Sequence, residues 1–356
     1  MSTASSRPIW CAVDGARGGP AARAFSAGEP RTTRHPPRSA FAILVAVLVV
    51  GAAHAQPVLY VASAGTNTIG EYNAVTGAAI NPALVNGQGL NQPGGLVLDA
   101  NGHLFAGDNG FGANSDRVGE YNATSGATIN AAFVPSSNNG ADGLALDGNN
   151  HLFAVGSAVG EYNATSGATV SANFISGSQV GIPTGIVVDG HNHIFLGNGP
   201  GGMVGEYNAT TGATINASFI SGLNTPIGVA LDTLGHLFVS ENPVGTDMVA
   251  ECDAVTGAII NPNFITGINQ PDFLIVDNAN HLFVSIANGG GPGTGTVGEY
   301  DATTGALINA NFITGLYAPE GLVVAPAGVP EPGGLALVGT AAAIAGWAVR
   351  RRRQTK

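Results

Sequence analysis

Short apolar runs, each closed by Asn, Asp or Gly, recur along this chain in a fixed order. One ends in Asp: Gly95-Leu96-Val97-Leu98-Asp99, then Gly143 to Asp147, Gly185 to Asp189, Gly228 to Asp232 and, less faithfully, Phe273 to Asp277. A second begins at His103, His151, His193, His236 and His281 and reads His-Leu-Phe or His-Ile-Phe. A Val-Gly-Glu-Tyr run and an Ile-Asn-Ala-Ser-Phe-Ile run, as at Ile215 to Ile220, complete the unit. Runs this short, bounded by turn residues, predict strands rather than helices of ten or more residues. Between the third and fourth runs lies Asn208-Ala209-Thr210-Thr211-Gly212. An Asx side chain first and a glycine last, where φ turns positive, predict a hairpin.

The acidic residue of the third run falls at Glu71, Glu120, Glu161, Glu206, Glu251 and Glu299, a spacing of 41 to 49 residues. A period in this range predicts an array of small four-stranded sheets. The two ends of the array are complementary. It enters at Pro57 to Ser63, a second run with no first run before it, and leaves through Pro319 to Val324, a first run with no second after it. Completing the first sheet with the last strand removes two bare edges. The fold class predicted is all-β, a six-bladed β-propeller over residues 56–326, closed by its C-terminal strand, with a transmembrane helix after it.

Composition adds one large repeat domain and no second core: 356 residues, of which 10% are charged. Between Gln56 and Val329 there are 20 Asp and Glu against one Arg, Arg117, and no Lys, a charge near −19. Such a surface repels phosphate backbones, which argues against nucleic-acid binding and is compatible with cationic partners. Cys252 stands where the other repeats carry Tyr and reads as a buried apolar substitute; with Cys11 upstream of the expected cleavage, no internal disulfide is predicted.

Both ends read as addresses. Residues 39–55 combine an apolar core, Ala40 to Ala53, with Arg31, Arg34 and Arg38 before it and Ala53-His54-Ala55 before Gln56. This predicts a signal peptide cleaved between Ala55 and Gln56. Residues 1–38 are Arg- and Pro-rich and read as an overcalled translation start or a disordered leader. At the other end, a linker at 327–332 holds Pro330-Glu331-Pro332, residues 333–349 are apolar, and 350–356 form a basic tail with Arg350, Arg351, Arg352 and Arg353. Seventeen helical residues reach across a thin bilayer core, with the arginines holding the cytoplasmic side. This three-part order resembles the PEP-CTERM sorting signal of Gram-negative bacteria. The resemblance implies an exosortase-type sorting enzyme as partner, transient inner-membrane anchoring, and delivery to the envelope or outer surface, or secretion.

Pro183-Thr184-Gly185-Ile186-Val187-Val188-Asp189, followed by Asn192-His193-Ile194-Phe195, resembles the NHL repeat, and the resemblance spans roughly residues 57 to 325. The array departs from that pattern. The arginine usual at the start of the third strand is missing from every copy but the one at Arg117, the array has no Trp, and Glu replaces the apolar residue before Tyr.

A Glu present in every copy reads as scaffold, and the five strand-opening His as a ring of equivalent surface positions rather than a metal cluster. Their shared Asp is expected to cap the adjoining turn. Function is expected where copies disagree. The residue preceding the glycine of the first strand is Gly94, Asp142, Thr184, Ile227, Asp272 and Glu320 around the ring, with Phe273 replacing the glycine itself in the sixth blade. In propellers of this kind these positions share the mouth of the central channel with the loops after the second strand, which add Asp108, Asn198, Glu241, Asn242 and Asn288. Two readings of this rim stand: a solvated acidic mouth with no defined ligand, or a site for a polar ligand or a hard cation such as calcium, which suits these oxygen ligands. Resemblance to gluconolactonase-like and streptogramin-lyase-like propellers implies metal-assisted chemistry at this place, but no general base is recognisable here. The functional expectation is an exported, monomeric, non-enzymatic binding or structural module of the envelope, with polysaccharide or another envelope component as ligand. The alternative is a divalent-metal-dependent lactonase- or lyase-like enzyme.

Overall fold

The computed structural model describes residues 56–110, 116–135, 140–177, 181–243 and 247–326. The expected leader, the signal segment with Ala55, the Pro330–Pro332 motif, the span at 333–349 and the arginines at 350–353 lie outside the described residues. Among the described residues no helix is long and apolar enough to cross a membrane.

The described strands form six four-stranded antiparallel sheets, each ordered from an innermost to an outermost strand. The innermost strands are Pro93–Leu98, Gly143–Leu146, Pro183–Val188, Pro226–Leu231, Pro271–Val276 and Pro319–Ala325. Each packs beside the next, and the last beside the first, so they enclose a central channel. Five of the six begin with proline, which lacks the N–H that an interior strand position would need and is tolerated at a strand's first residue. Closure follows the shared-blade reading: Pro319–Ala325 pairs with Val58–Ser63, aligning Leu59 with Val324 and Tyr60 with Val323. The fold is an all-β six-bladed propeller.

Packing between blades explains the repeated Gly-x-Tyr. Tyr121 packs against Ile69 and Val85 of the preceding blade, Tyr162 against Val118 and Val134, and Tyr207 against Val159 and Ile175. Within a blade, the second-strand Phe meets an outer-strand Phe, as in Phe105 with Phe133 at 5.0 Å between ring centroids. Full burial of a Phe of this kind contributes about 1.5–3 kcal/mol. Cys252 fills the tyrosine position between the fourth and fifth blades beside Val204 and Ile220. Burial pushes its thiol up to about 12, so it packs and does not react.

The hairpin turns form as their residues dictate. Asn208 Oδ1 accepts the N–H groups of Thr210 and Thr211 at 3.0 and 2.9 Å, and Gly212 takes φ +68°. A Cβ there would also lie 2.1 Å from the Phe174 carbonyl oxygen of the preceding blade. The glycine therefore serves both the turn and a close approach between blades. The outer strands bulge. Val204 aligns with Ile220 and Glu206 with Asn216, but Tyr207 with Thr214. Asn216 Oδ1 accepts the Ser218 N–H at 3.1 Å inside the bulge, supplying the local bond that the ladder loses there.

Candidate functional site

The repeated ionisable residues assemble into pins rather than an active site. Asp147 Oδ1 accepts the N–H groups of Asn149 and His151, both at 2.8 Å, closing the turn as its sequence position implied. Its other oxygen lies 2.9 Å from His151 Nδ1, which in turn lies 3.7 Å from Glu161 of the third strand. The same trio recurs as Asp99–His103–Glu120, Asp189–His193–Glu206, Asp232–His236–Glu251 and Asp277–His281–Glu299. The histidines are thus half-buried clasps, not free surface groups. Burial raises the pKa of the Glu members, and the neighbouring His opposes it. For Asp147 burial acts upward, but hydrogen bonds from His151 and Asn149 outweigh it and hold the carboxylate below its ordinary value.

Asp142, Asp272 and Glu320 occupy the start of three innermost strands. Glu320 feels both others. Its pKa is raised well above the ordinary range by burial first, then by the charges of Asp272 and Asp142. Asp272 is pushed up to about 7 by burial and by Asp247, and Asp142 is raised by burial and by Asp116. Asp142 and Glu320 line one cavity of about 420 Å³ with Gln92, Gly94, Asn109 and Tyr317. Gly94 holds the equivalent position in the intervening blade, where a Cβ would lie 2.8 Å from the Asn109 amide nitrogen. Asn109 spans the blades there: its amide nitrogen donates to Asp142 and its oxygen accepts the Ala141 N–H at 3.2 Å. Sequence reasoning missed Asn109, Gln92 and Tyr317. Each lies in a loop where the copies differ in length, so no repeat position marked it.

Along the channel wall, residues such as Val97, Ala145, Val187, Ala230, Ile275 and Val323 line an apolar cavity of about 350 Å³. At the other equivalent mouth positions, Thr184 turns its hydroxyl to the Ile227 carbonyl at 2.9 Å.

The loop residues expected at the same rim are placed differently. Asp108 is 2% exposed and bonded to Arg117, with Nε to Oδ2 at 2.8 Å. Glu241 is buried and accepts the Asn224 N–H, while Asn198 is buried and accepts the Gly201 N–H at 3.3 Å. Asn288 donates to the Thr294 carbonyl and the Thr296 hydroxyl, and the Asn242 N–H bonds the Thr225 carbonyl at 3.3 Å. Asp108, Asn198 and Glu241 pair with the strand-opening prolines Pro93, Pro183 and Pro226, where turning backbone and neighbouring strands supply their partners. Among the described residues, no group of three or more His, Cys, Asp or Glu is placed to hold a metal ion.

The fold places the chain among six-bladed β-propellers. No protein-family model matches it, and no curated protein matches it. Solved structures that share the fold include one in a nidogen/laminin complex, at 12% identity over 76% of this chain and 98% of that chain, TM-score 0.57. Another is a gluconolactonase of Xanthomonas campestris important in glucose secondary metabolic pathways, at 17% identity over 66% and 83%, TM-score 0.50. At these identities the likeness is one of fold.

Proposed function

We propose that this chain is an exported, envelope-sorted β-propeller that acts as a non-enzymatic binding or structural module. The observation that carries the reading is the use of the repeated chemistry. Among the described residues the Asp–His–Glu trios are spent on clasping strands within a blade, which leaves the mouth cavity to two carboxyl, two amide and one aromatic side chain. The NHL-like order of the strands and the PEP-CTERM-like tail support the finer reading, in which an exosortase-type enzyme processes the chain after a transient membrane stage. A propeller from a nidogen/laminin complex illustrates the fold within a protein assembly. The test is fractionation of cells expressing the full chain and a chain lacking residues 329–353. Retention in the envelope is expected only for the former, and unchanged localisation would remove the sorting reading.

A second reading, a divalent-metal-dependent lactonase or lyase, is favoured by the raised carboxyls of Asp142, Asp272 and Glu320 and by the gluconolactonase that shares the fold. Calcium that bound the folded state would raise its apparent stability. A melting temperature unmoved by calcium, with any detected activity intact in Asp142→Ala and Asp272→Ala, would exclude it.

A further inference from the structure

Between residues 56 and 326, His191 is the only histidine that does not open the second strand of a blade. It lies in the turn Asp189-Gly190-His191-Asn192-His193, at a position that the equivalent turns fill with Asn101, Asn149, Leu234 and Ala279. One carboxylate gathers this residue and His193. Asp189 Oδ1 accepts the His191 N–H at 2.8 Å and the His193 N–H at 2.7 Å, which pins the backbone at both positions. Its other oxygen, Oδ2, lies 3.1 Å from His193 Nδ1 and 3.6 Å from His191 Nδ1. The His193 ring is also set edge-on to Phe195, with centroids 6.4 Å apart, whereas the His191 side chain is 87% exposed and free to turn. Two imidazoles thus stand beside one acidic oxygen on a short turn, one ring fixed and one adjustable.

An imidazole whose Nδ1–H faces a carboxylate carries its lone pair on Nε2. This is the outer-shell arrangement that fixes the tautomer and orientation of a metal-ligating histidine. Paired imidazoles favour transition metals over hard cations such as calcium, and copper(II) binds tightest in the divalent series. Glu206, 3.7 Å from His193 Nδ1, and the 20 acidic side chains between residues 56 and 329 supply the negative surroundings that attract a cation. The turn follows the end of Pro183–Val188, so it lies at the opposite end of that strand from the channel mouth.

We propose that His191 and His193 bind a divalent transition metal, copper(II) most tightly, through their Nε2 atoms, with Asp189 orienting both rings from behind. The ligands are a pair and not one of the three-group sets that are absent among the described residues, so the site is open and water completes the coordination. His103, His151, His236 and His281 share the carboxylate clasp but have no second imidazole in their turns, so the pair at residues 191 and 193 is the preferred site. The site is separate from the mouth carboxyls and does not depend on how they are read.

Titration of the purified full chain with copper(II), zinc(II) and calcium, together with the electron paramagnetic resonance spectrum of the bound copper(II), tests this. One site of highest copper(II) affinity is expected, with nitrogen splitting from two imidazoles, weaker competition by zinc(II) and no displacement by calcium. His191→Asn installs the residue that two sister turns already carry at this position, as Asn101 and Asn149, so its melting temperature without metal is expected to match the wild type. The same variant should weaken the tightest copper(II) binding about tenfold or more, at least the cost of losing an outer-shell partner, and leave one nitrogen in the spectrum. Asn149→His is the converse. Asn149 donates its N–H to Asp147 Oδ1 at 2.8 Å, as His191 does to Asp189, so this variant should gain a second tight site. Unchanged copper(II) affinity in His191→Asn, or a single-nitrogen spectrum in the wild type, would overturn the proposal. Calcium that displaced the bound copper(II) would overturn it as well, because the ligands would then be oxygens.

Discussion

Ala250 stands two residues before Cys252 in Met248–Asp253, and together they replace the Gly and Tyr found at these positions in the other five blades. The two replacements are physically linked. A Cβ on Gly119 would lie 2.6 Å from the Tyr121 hydroxyl, and one on Gly205 2.7 Å from the Tyr207 ring, so the tyrosine folds back over a residue that must lack a side chain. Where the ring is absent, alanine fits. Cys252→Tyr alone is therefore expected to destabilise the propeller by about 1–3 kcal/mol through overpacking. Ala250→Gly in the same chain should recover most of that loss. Denaturant titration of the wild type, both single variants and the double variant measures the coupling, and simple additivity would show that the two positions are independent.

Arg117 is expected to matter more than its isolation in an acidic domain suggests. Its partner Asp108 is 2% exposed, and burial raises the carboxyl's pKa while Arg117 lowers it. Its guanidinium also reaches the Gly89 carbonyl. Arg117→Ala leaves a buried carboxyl facing no cation and should cost about 3 kcal/mol near neutral pH. The penalty should shrink in acid, where Asp108 can take a proton. Chemical denaturation at two pH values checks this; a pH-independent loss would mean that packing of the arginine stem, not its charge, is what counts.

Much of this architecture could be read from residue order, because a propeller repeats its instructions. Blade number, strand order, the turn geometry at Asn208 to Gly212 and closure through Pro319–Ala325 follow from period, turn residues and the complementary ends. The partnership of His151 with Asp147 and Glu161 was less visible. Asp147 lies four residues away, but Glu161 reaches the clasp only through the register of the second and third strands. The mouth residues Asp142, Asp272 and Glu320 stood out as departures from the repeat, while Asn109 and Tyr317 lie in loops with no common register to depart from. The loop residues Asp108 and Glu241 look like mouth ligands by position, yet their partners, Arg117 and the Asn224 N–H, turn them inward.

The carboxyl mouth should set the pH dependence of stability. Asp272 is pushed up to about 7 by burial and Asp247, and Glu320 and Asp142 are raised as well, so the folded state holds more protons than the unfolded chain above about pH 4. Stability from these groups is fully present below their unfolded values and is lost as pH rises toward about 7. Asp147 works in the opposite sense: its folded value is depressed, so its contribution is present above about pH 4 and lost as pH falls further. The melting temperature is expected to be higher at about pH 5 than at about pH 8, by roughly 2–4 °C for each kcal/mol involved. Asp272→Asn or Glu320→Gln should flatten that slope. Calorimetry across the range decides it, and a melting temperature that climbs from pH 5 to pH 8 in the wild type would contradict the assignment.

Closure of the ring gives the last prediction. Pro319–Ala325 supplies Leu322 to the core beneath Phe283 and Phe312, Val323 to the core beside Tyr60 and Leu104, and the backbone partners of Val58–Ser63. A chain ending at residue 318 would expose the edge of Val58–Ser63 and break the ring of innermost strands at one blade, leaving apolar clusters open on both sides. Two buried side chains of this size contribute about 3–6 kcal/mol before the strand pairing is counted, a large share of the net stability of most domains. The truncated chain is therefore expected to lose cooperative unfolding and to associate through its open edge. A synthetic peptide of residues 317–326, added in trans, should restore a monomeric particle with a cooperative transition by adding the missing strand. Size-exclusion chromatography with thermal melting reads both effects. A truncated chain that stays monomeric and melts like the wild type would mean that the ring is held by its other five interfaces and that the shared blade is dispensable.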